Sequence, residues 1–217
     1  MTIRAYVGLH GKGKTLGMTR FVLERQARGF EAFTNYGVGG AKTVVTADEI
    51  MYLIVRQARS ERRRPVVLAI SEAGQIWDCR DSRAFPAAMR ILVSECRKLH
   101  LDFVFDSQDL DDVDVKLRRQ VHEVVLCEGI GEKVWMVDEV TGEEVKRPRL
   151  FVQRCYRGPT YGTKDQSLLW WSVSRLDKEA AGAFDTDAII ASLGRVLESE
   201  WERLERSPMI RVGLMDA

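Results

Sequence analysis

The sequence predicts an α/β fold, a mostly parallel sheet between helices with an antiparallel hairpin after the core, and three observations carry that expectation. Short apolar runs alternate with segments whose apolar residues recur at helical spacing, the pattern of strands covered on both faces. The first of these runs, residues 3–9, leads through a glycine-rich loop straight into a helical segment. After about residue 130 the pattern changes to alternation around Thr141-Gly142, which reads as a hairpin with a turn.

Each element follows in order. IRAYVGL is a strand, and TLGMTRFVLERQARG after it is a helix closed by Gly29. FEAFTNY reads as a second strand. TADEIMYLIVRQARSERRR is a helix with Thr46 as N-cap and Glu49 completing a capping box. VVLAIS, after a basic turn, is a third strand. FPAAMRILVSECRKLH is a helix, LDFVFDS a fourth strand, DVDVKLRRQ a short helix and HEVVLCEGI a fifth strand. KVWMVDEVTGEEVKRPRLFVQRCY supplies the hairpin, and DTDAIIASLGRVLESEWERLERS a C-terminal amphipathic helix. With no internal repeat or low-complexity linker, residues 1–217 are expected to form a single domain, with a core over about 1–130 and an extension over about 131–217.

Composition limits the function. The 33 basic and 32 acidic side chains cancel to a net charge of about +1, so any contact with nucleic acid must come from local patches. Cys79, Cys96, Cys127 and Cys155 show no C-x-x-C spacing and no secretory leader is evident, which predicts reduced thiols in a cytosolic protein. VVLAI and SLLWWSV, the longest apolar runs, are far shorter than the roughly 20 residues of a membrane helix. No transmembrane segment is expected. Trp170 and Trp171 read as core or interface residues rather than stacking platforms.

The chemistry begins at Gly8-Leu9-His10-Gly11-Lys12-Gly13-Lys14-Thr15, a full match to G-x-x-x-x-G-K-[ST]. Glycines at those positions let backbone amides curl around phosphate, Lys14 reaches the β/γ oxygens, and the Thr15 hydroxyl suits magnesium. ATP with Mg2+ is therefore the expected ligand, bound by residues 8–15. His10 reads as a solvated loop side chain. Such a loop needs a second, acidic strand. VVLAIS is the only strand whose end delivers a carboxylate, that of Glu72, placed to polarise the water attacking the γ-phosphate. The following strand ends in Ser107-Gln108, and in P-loop proteins of the additional-strand type a strand inserted between the two motif strands carries a polar sensor. Gln108 stands at that place.

The G-x-x-G-x-GKT loop, SEAGQIWDCR, SECRKLHLDFVFDSQ, DVDVKLRRQV and a late AFDT together resemble the FtsK/HerA-type ATPases. Within that group the chain is similar to the genome-packaging ATPases of membrane-containing tailless viruses and to the Zot-like assembly proteins of filamentous phages. The resemblance covers about residues 3–186. It implies a homo-oligomeric ring, a pentamer or hexamer, that translocates double-stranded DNA at the cost of ATP, with capsid portal or vertex proteins as partners. The implied location is the host cytoplasm or the packaging vertex of the virion.

The chain departs from the family pattern at Ser71, where an aspartate is expected. Either the Ser71 hydroxyl holds a magnesium-bound water, or Asp106 at the end of the neighbouring strand supplies the missing charge; a combination of the two is preferred. Motors of this kind also complete each site with an arginine from the next subunit. Arg80, Arg83, Arg97, Arg118 and Arg119 are candidates, led by Arg97 and Arg118. Lys116, Arg118 and Arg119, together with Arg62, Arg63 and Arg64, could equally face DNA phosphates. Three functions compete: a packaging motor, a Zot-like extrusion ATPase, and a nonenzymatic nucleotide-binding scaffold. The second is expected to carry a membrane anchor, and none follows up to Ala217, which orders the readings.

Overall fold

The computed structural model of the chain describes residues 1–44, 46–60, 64–77, 87–137, 144–175 and 184–185. In chain order the elements are β1 (Ile3–Val7), α1 (Lys14–Ala27), β2 (Glu31–Thr34), β3 (Gly37–Val38), β4 (Lys42–Thr43), α2 (Ala47–Arg59), β5 (Val66–Ile70), α3 (Ala73–Ile76) and α4 (Ala87–Glu95). There follow β6 (Leu101–Ser107), α5 (Val115–Arg118), β7 (Glu123–Val137), β8 (Glu144–Arg157), β9 (Leu168–Arg175) and β10 (Phe184–Asp185).

Eight strands form one sheet in the order β4-β2-β5-β6-β1-β7-β8-β9. The part from β4 to β7 is parallel, and β8 and β9 add on antiparallel. The hairpin is thus present as expected, although its turn at Thr141-Gly142 lies outside the described residues, as does the C-terminal helix. β9 had no strand signal in the sequence beyond its apolar run. The short β10 pairs with β3 in a separate two-stranded sheet.

Strand alternation divides the core into two layers. Ile3, Ala5 and Val7 of β1, Val66, Leu68 and Ile70 of β5, and Leu101, Phe103 and Phe105 of β6 all turn to one face, where Ile50, Leu53 and Ile54 of α2 and Met89, Leu92 and Val93 of α4 cover them. Tyr6, Val67, Ala69 and Val104 turn to the other, against Met18, Phe21 and Val22 of α1. Each buried Val, Leu, Ile, Phe or Met side chain among them contributes on the order of 1.5–3 kcal/mol.

Local signals set the helix ends. Thr46 and Glu49 form the expected reciprocal capping box at the start of α2, worth about 1 kcal/mol. α1 stops because Gly29 takes φ 84° and its N–H and that of Phe30 turn back to Gln26 O and Arg25 O, a left-handed ending that glycine permits without strain. Trp170 is half-buried against the α1 layer, whereas Trp171 is 65 % exposed. Only the first of the pair is a core residue. Cys96, Cys127 and Cys155 are buried free thiols, in keeping with filler roles. Among the described residues no helix is long and apolar enough to cross a membrane.

Candidate functional site

The site lies at the C-terminal ends of β1, β5 and β6, where the parallel strands deliver their loops to one edge of the sheet. The glycine loop leaves β1 at Gly8 and enters α1 at Lys14. Gly11 and Gly13 take φ 68° and 83°, left-handed values that let consecutive amides point inward. Close packing adds a second demand at two positions. A Cβ on Gly8 would come within 2.5 Å of Cys127 O, and one on Gly13 within 2.6 Å of the Phe151 ring. The hairpin strand β8 therefore braces the loop from behind. Lys14 is buried, and its Nζ donates to Leu9 O at 3.3 Å across the loop. Leu9 and His10 stand exposed on the rim of the loop and Lys12 is half-buried.

β6 lies between β1 and β5, the inserted-strand arrangement the sequence suggested, and its register explains the chemistry. Ile70 pairs with Phe105 and Tyr6 with Asp106. Asp106 and Ser71 therefore come level and, by alternation, face the α1 layer, where the first turn of α1 carries Thr15. Asp106 is fully buried. Its Oδ2 accepts from Thr15 Oγ1 at 3.0 Å, and the Ser71 hydroxyl lies 3.2 and 3.3 Å from its two oxygens. Its Oδ1 also accepts from the Glu72 backbone N–H at 2.6 Å. Burial first, and then the Glu72 charge, push the Asp106 carboxyl up to about 6 against the opposing Glu72 backbone hydrogen bond, Lys14 and Thr15.

Glu72 follows at φ 56°, ψ 45°, an uncommon left-handed conformation for a residue with a side chain. Its carboxylate is half-buried, with Gln75 Nε2 at 3.5 Å. Gln108 is tied to the glycine loop twice: its carbonyl accepts from Gly8 N–H at 3.2 Å, and its Nε2 lies 2.6 Å from His10 Nε2. His10 is thus exposed, as expected, but not detached from the site.

The predicted arginines are placed differently from one another. Arg97 is exposed in the turn before β6, at the opposite end of that strand from Asp106, so it lies away from the site of its own chain. Arg118 is in α5, whose Leu117 packs into the α2 and α4 layer, and it pairs with Asp111. Arg119, Lys116 and Arg64 are exposed. Arg62, Arg63, Arg80, Arg83 and Cys79 lie outside the described residues.

Asn35 is the residue that sequence reading missed. Its amide is buried beside β5 and holds both backbone groups of Ser71. Nothing in a one-dimensional pattern signals this, because it depends on β2 lying beside β5.

The donor set fits a magnesium–nucleotide complex. One buried carboxylate and two hydroxyls make an all-oxygen corner next to the glycine loop, and among the described residues no group of three or more His, Cys, Asp or Glu is arranged for a metal. Such a corner suits an ion that takes few protein ligands and fills its remaining positions with phosphate and water.

No protein-family model matches the sequence, and no curated protein matches it. Solved structures do resemble the fold. The N-terminal domain of zonular occludens toxin from Neisseria meningitidis superimposes with a TM-score of 0.56 at 15 % identity, over 85 % of this chain and 98 % of that one. The genome packaging NTPase B204 from Sulfolobus turreted icosahedral virus 2, in complex with ATP-gammaS, gives 0.51 at 12 % identity, over 77 % and 95 %. The ATPase domain of G40P gives 0.51 at 9 % identity, over 84 % of each chain. The chain has the P-loop NTPase fold that these proteins share.

Proposed function

We propose that this protein is a magnesium-dependent ATPase that powers a viral DNA motor, translocating double-stranded DNA during genome packaging. The observation that carries the ATPase reading is the meeting of the Thr15 and Ser71 hydroxyls on the single buried carboxylate of Asp106, beside a glycine loop with a buried Lys14. The loop amides of residues 8–15 and Lys14 hold the phosphates. Thr15, Ser71 and Asp106 would hold Mg2+, which would offset phosphate charge when bound. Glu72 accepts a proton from the attacking water, and Gln108 orients that water beside the γ-phosphate. An arginine from the next subunit of a ring, Arg97 or Arg118, stabilises the charge that builds in transfer.

The DNA-motor reading is supported by the likeness to B204. A second reading, an assembly or extrusion ATPase of the Zot type, is favoured by one observation of its own: the zonular occludens toxin domain covers more of this chain at a higher TM-score. Both readings share the chemistry of the site and differ in what turnover is coupled to. Steady-state ATP hydrolysis by the purified protein, with and without linear duplex DNA, tests them. Packaging predicts magnesium-dependent turnover that duplex DNA stimulates. Turnover indifferent to duplex favours the assembly reading, and no turnover under any condition contradicts both.

A further inference from the structure

Asn35 sits just past the end of β2, where its backbone N–H still pairs with Ala69 O at 3.3 Å. At the next rung of the ladder its side chain takes over from the backbone. Nδ2 donates to Ser71 O at 3.0 Å and Oδ1 accepts from Ser71 N–H at 2.7 Å. Asn35 is 6 % exposed and Ser71 1 %, so both bonds are shielded from water, and both go to one residue's backbone. Buried amides are normally paired. What is particular here is the choice of partner, the peptide groups that immediately precede Glu72.

The consequence falls on Glu72. Its φ of 56° is unfavourable for a residue with a side chain, and such a conformation persists only where its surroundings over-determine it. Two clamps do so. The N–H of Glu72 is held by Asp106 Oδ1 at 2.6 Å, and the residue before it is held at both backbone groups by Asn35. Asp106 approaches from β6 on one side and Asn35 from β2 on the other, so the peptide carrying Glu72 is gripped from both neighbouring strands. We infer that Asn35 is a positioning residue for hydrolysis, acting through Ser71 to aim the Glu72 carboxylate at the attacking water.

This rests on the ATPase reading, and the experiment separates the two. Turnover and ATP KM are measured for wild type, Asn35→Ala, Glu72→Gln and the double variant, with thermal melts to establish that each is folded. Asn35→Ala is expected to lower kcat roughly 100-fold, the scale of a misplaced catalytic group, with KM for ATP unchanged. In the Glu72→Gln background the same substitution should cost nothing further, since the group it positions is already gone. Should Asn35→Ala fail to fold, Asn35→Asp, which keeps the acceptor for Ser71 N–H, replaces it in the same cycle with a smaller loss of kcat expected. An unchanged kcat in the folded single variant, or an equal loss in both backgrounds, overturns the positioning role while leaving the ATPase intact. Absence of turnover in the wild type overturns the ATPase reading and this inference with it.

Discussion

Thr15 Oγ1 donates to Asp106 Oδ2 at 3.0 Å, joining the first turn of α1 to the end of β6. In the family the chain resembles, an acid is expected at position 71, at the end of β5. Here position 71 is a serine, and its hydroxyl leans on the carboxylate of Asp106. The acid in this corner is Asp106, one strand along the sheet, which by register and alternation faces the same side as Ser71.

The asymmetry has a cost in the ligand-free protein. Asp106 titrates at about 6 when folded against an ordinary 3.8, so between those values the unfolded chain ionises while the folded one keeps its proton. Stability therefore falls as pH rises through that window, and the penalty is complete above about pH 6. The difference converts to about 3 kcal/mol. Asp106→Asn is expected to be more stable than wild type at pH 7 by up to that amount, with the gain shrinking towards pH 4, while needing more magnesium for turnover. Denaturant melts at the two pH values check it, and a variant less stable at pH 7 contradicts it.

Lys14→Ala should remove hydrolysis with only a modest loss of stability. The Lys14 ammonium makes one long bond to Leu9 O, and its role toward phosphate charge is worth at least a hundredfold in rate. A melt and a turnover assay on the same preparation test this; turnover at the wild-type rate would remove the phosphate-loop assignment.

Glu72→Gln should bind ATP with wild-type affinity and hydrolyse it roughly 100-fold or more slowly. Its backbone N–H, which Asp106 holds, is unaffected by the change. Equilibrium binding of a fluorescent ATP analogue, set beside turnover, separates the outcomes. Loss of binding together with hydrolysis would assign Glu72 to the metal or to the fold.

These expectations show how far the sequence reaches. Gly8 to Thr15, the capping pair Thr46 and Glu49, and the succession of strands and helices along the core were legible because each depends on residues close in sequence. Asp106 was legible only as one of two readings, since its meeting with Ser71 requires the pairing of β5 and β6. Asn35 was invisible for the same reason, its partner being Ser71 across the β2–β5 pair. β9 was hidden because its exposed face carries Leu169, Trp171 and Val173, so polar and apolar residues do not alternate along it. Arg97 and Arg118 were chosen by position in the chain, and the structure puts one at the far end of β6 and pairs the other with Asp111.

The central claim is that Ser71 and Asp106 serve one magnesium ion, and a magnesium titration of ATP turnover tests it most directly. Wild type, Asp106→Ala, Ser71→Asp and the double variant are compared. Asp106→Ala should raise the magnesium requirement, and adding Ser71→Asp to it should restore turnover substantially by returning the acid to β5. Ser71→Asp alone should change little or slow turnover, because two carboxylates are then crowded in one buried corner. Strictly additive effects of the two substitutions would mean that the positions do not share an ion, and would contradict the account.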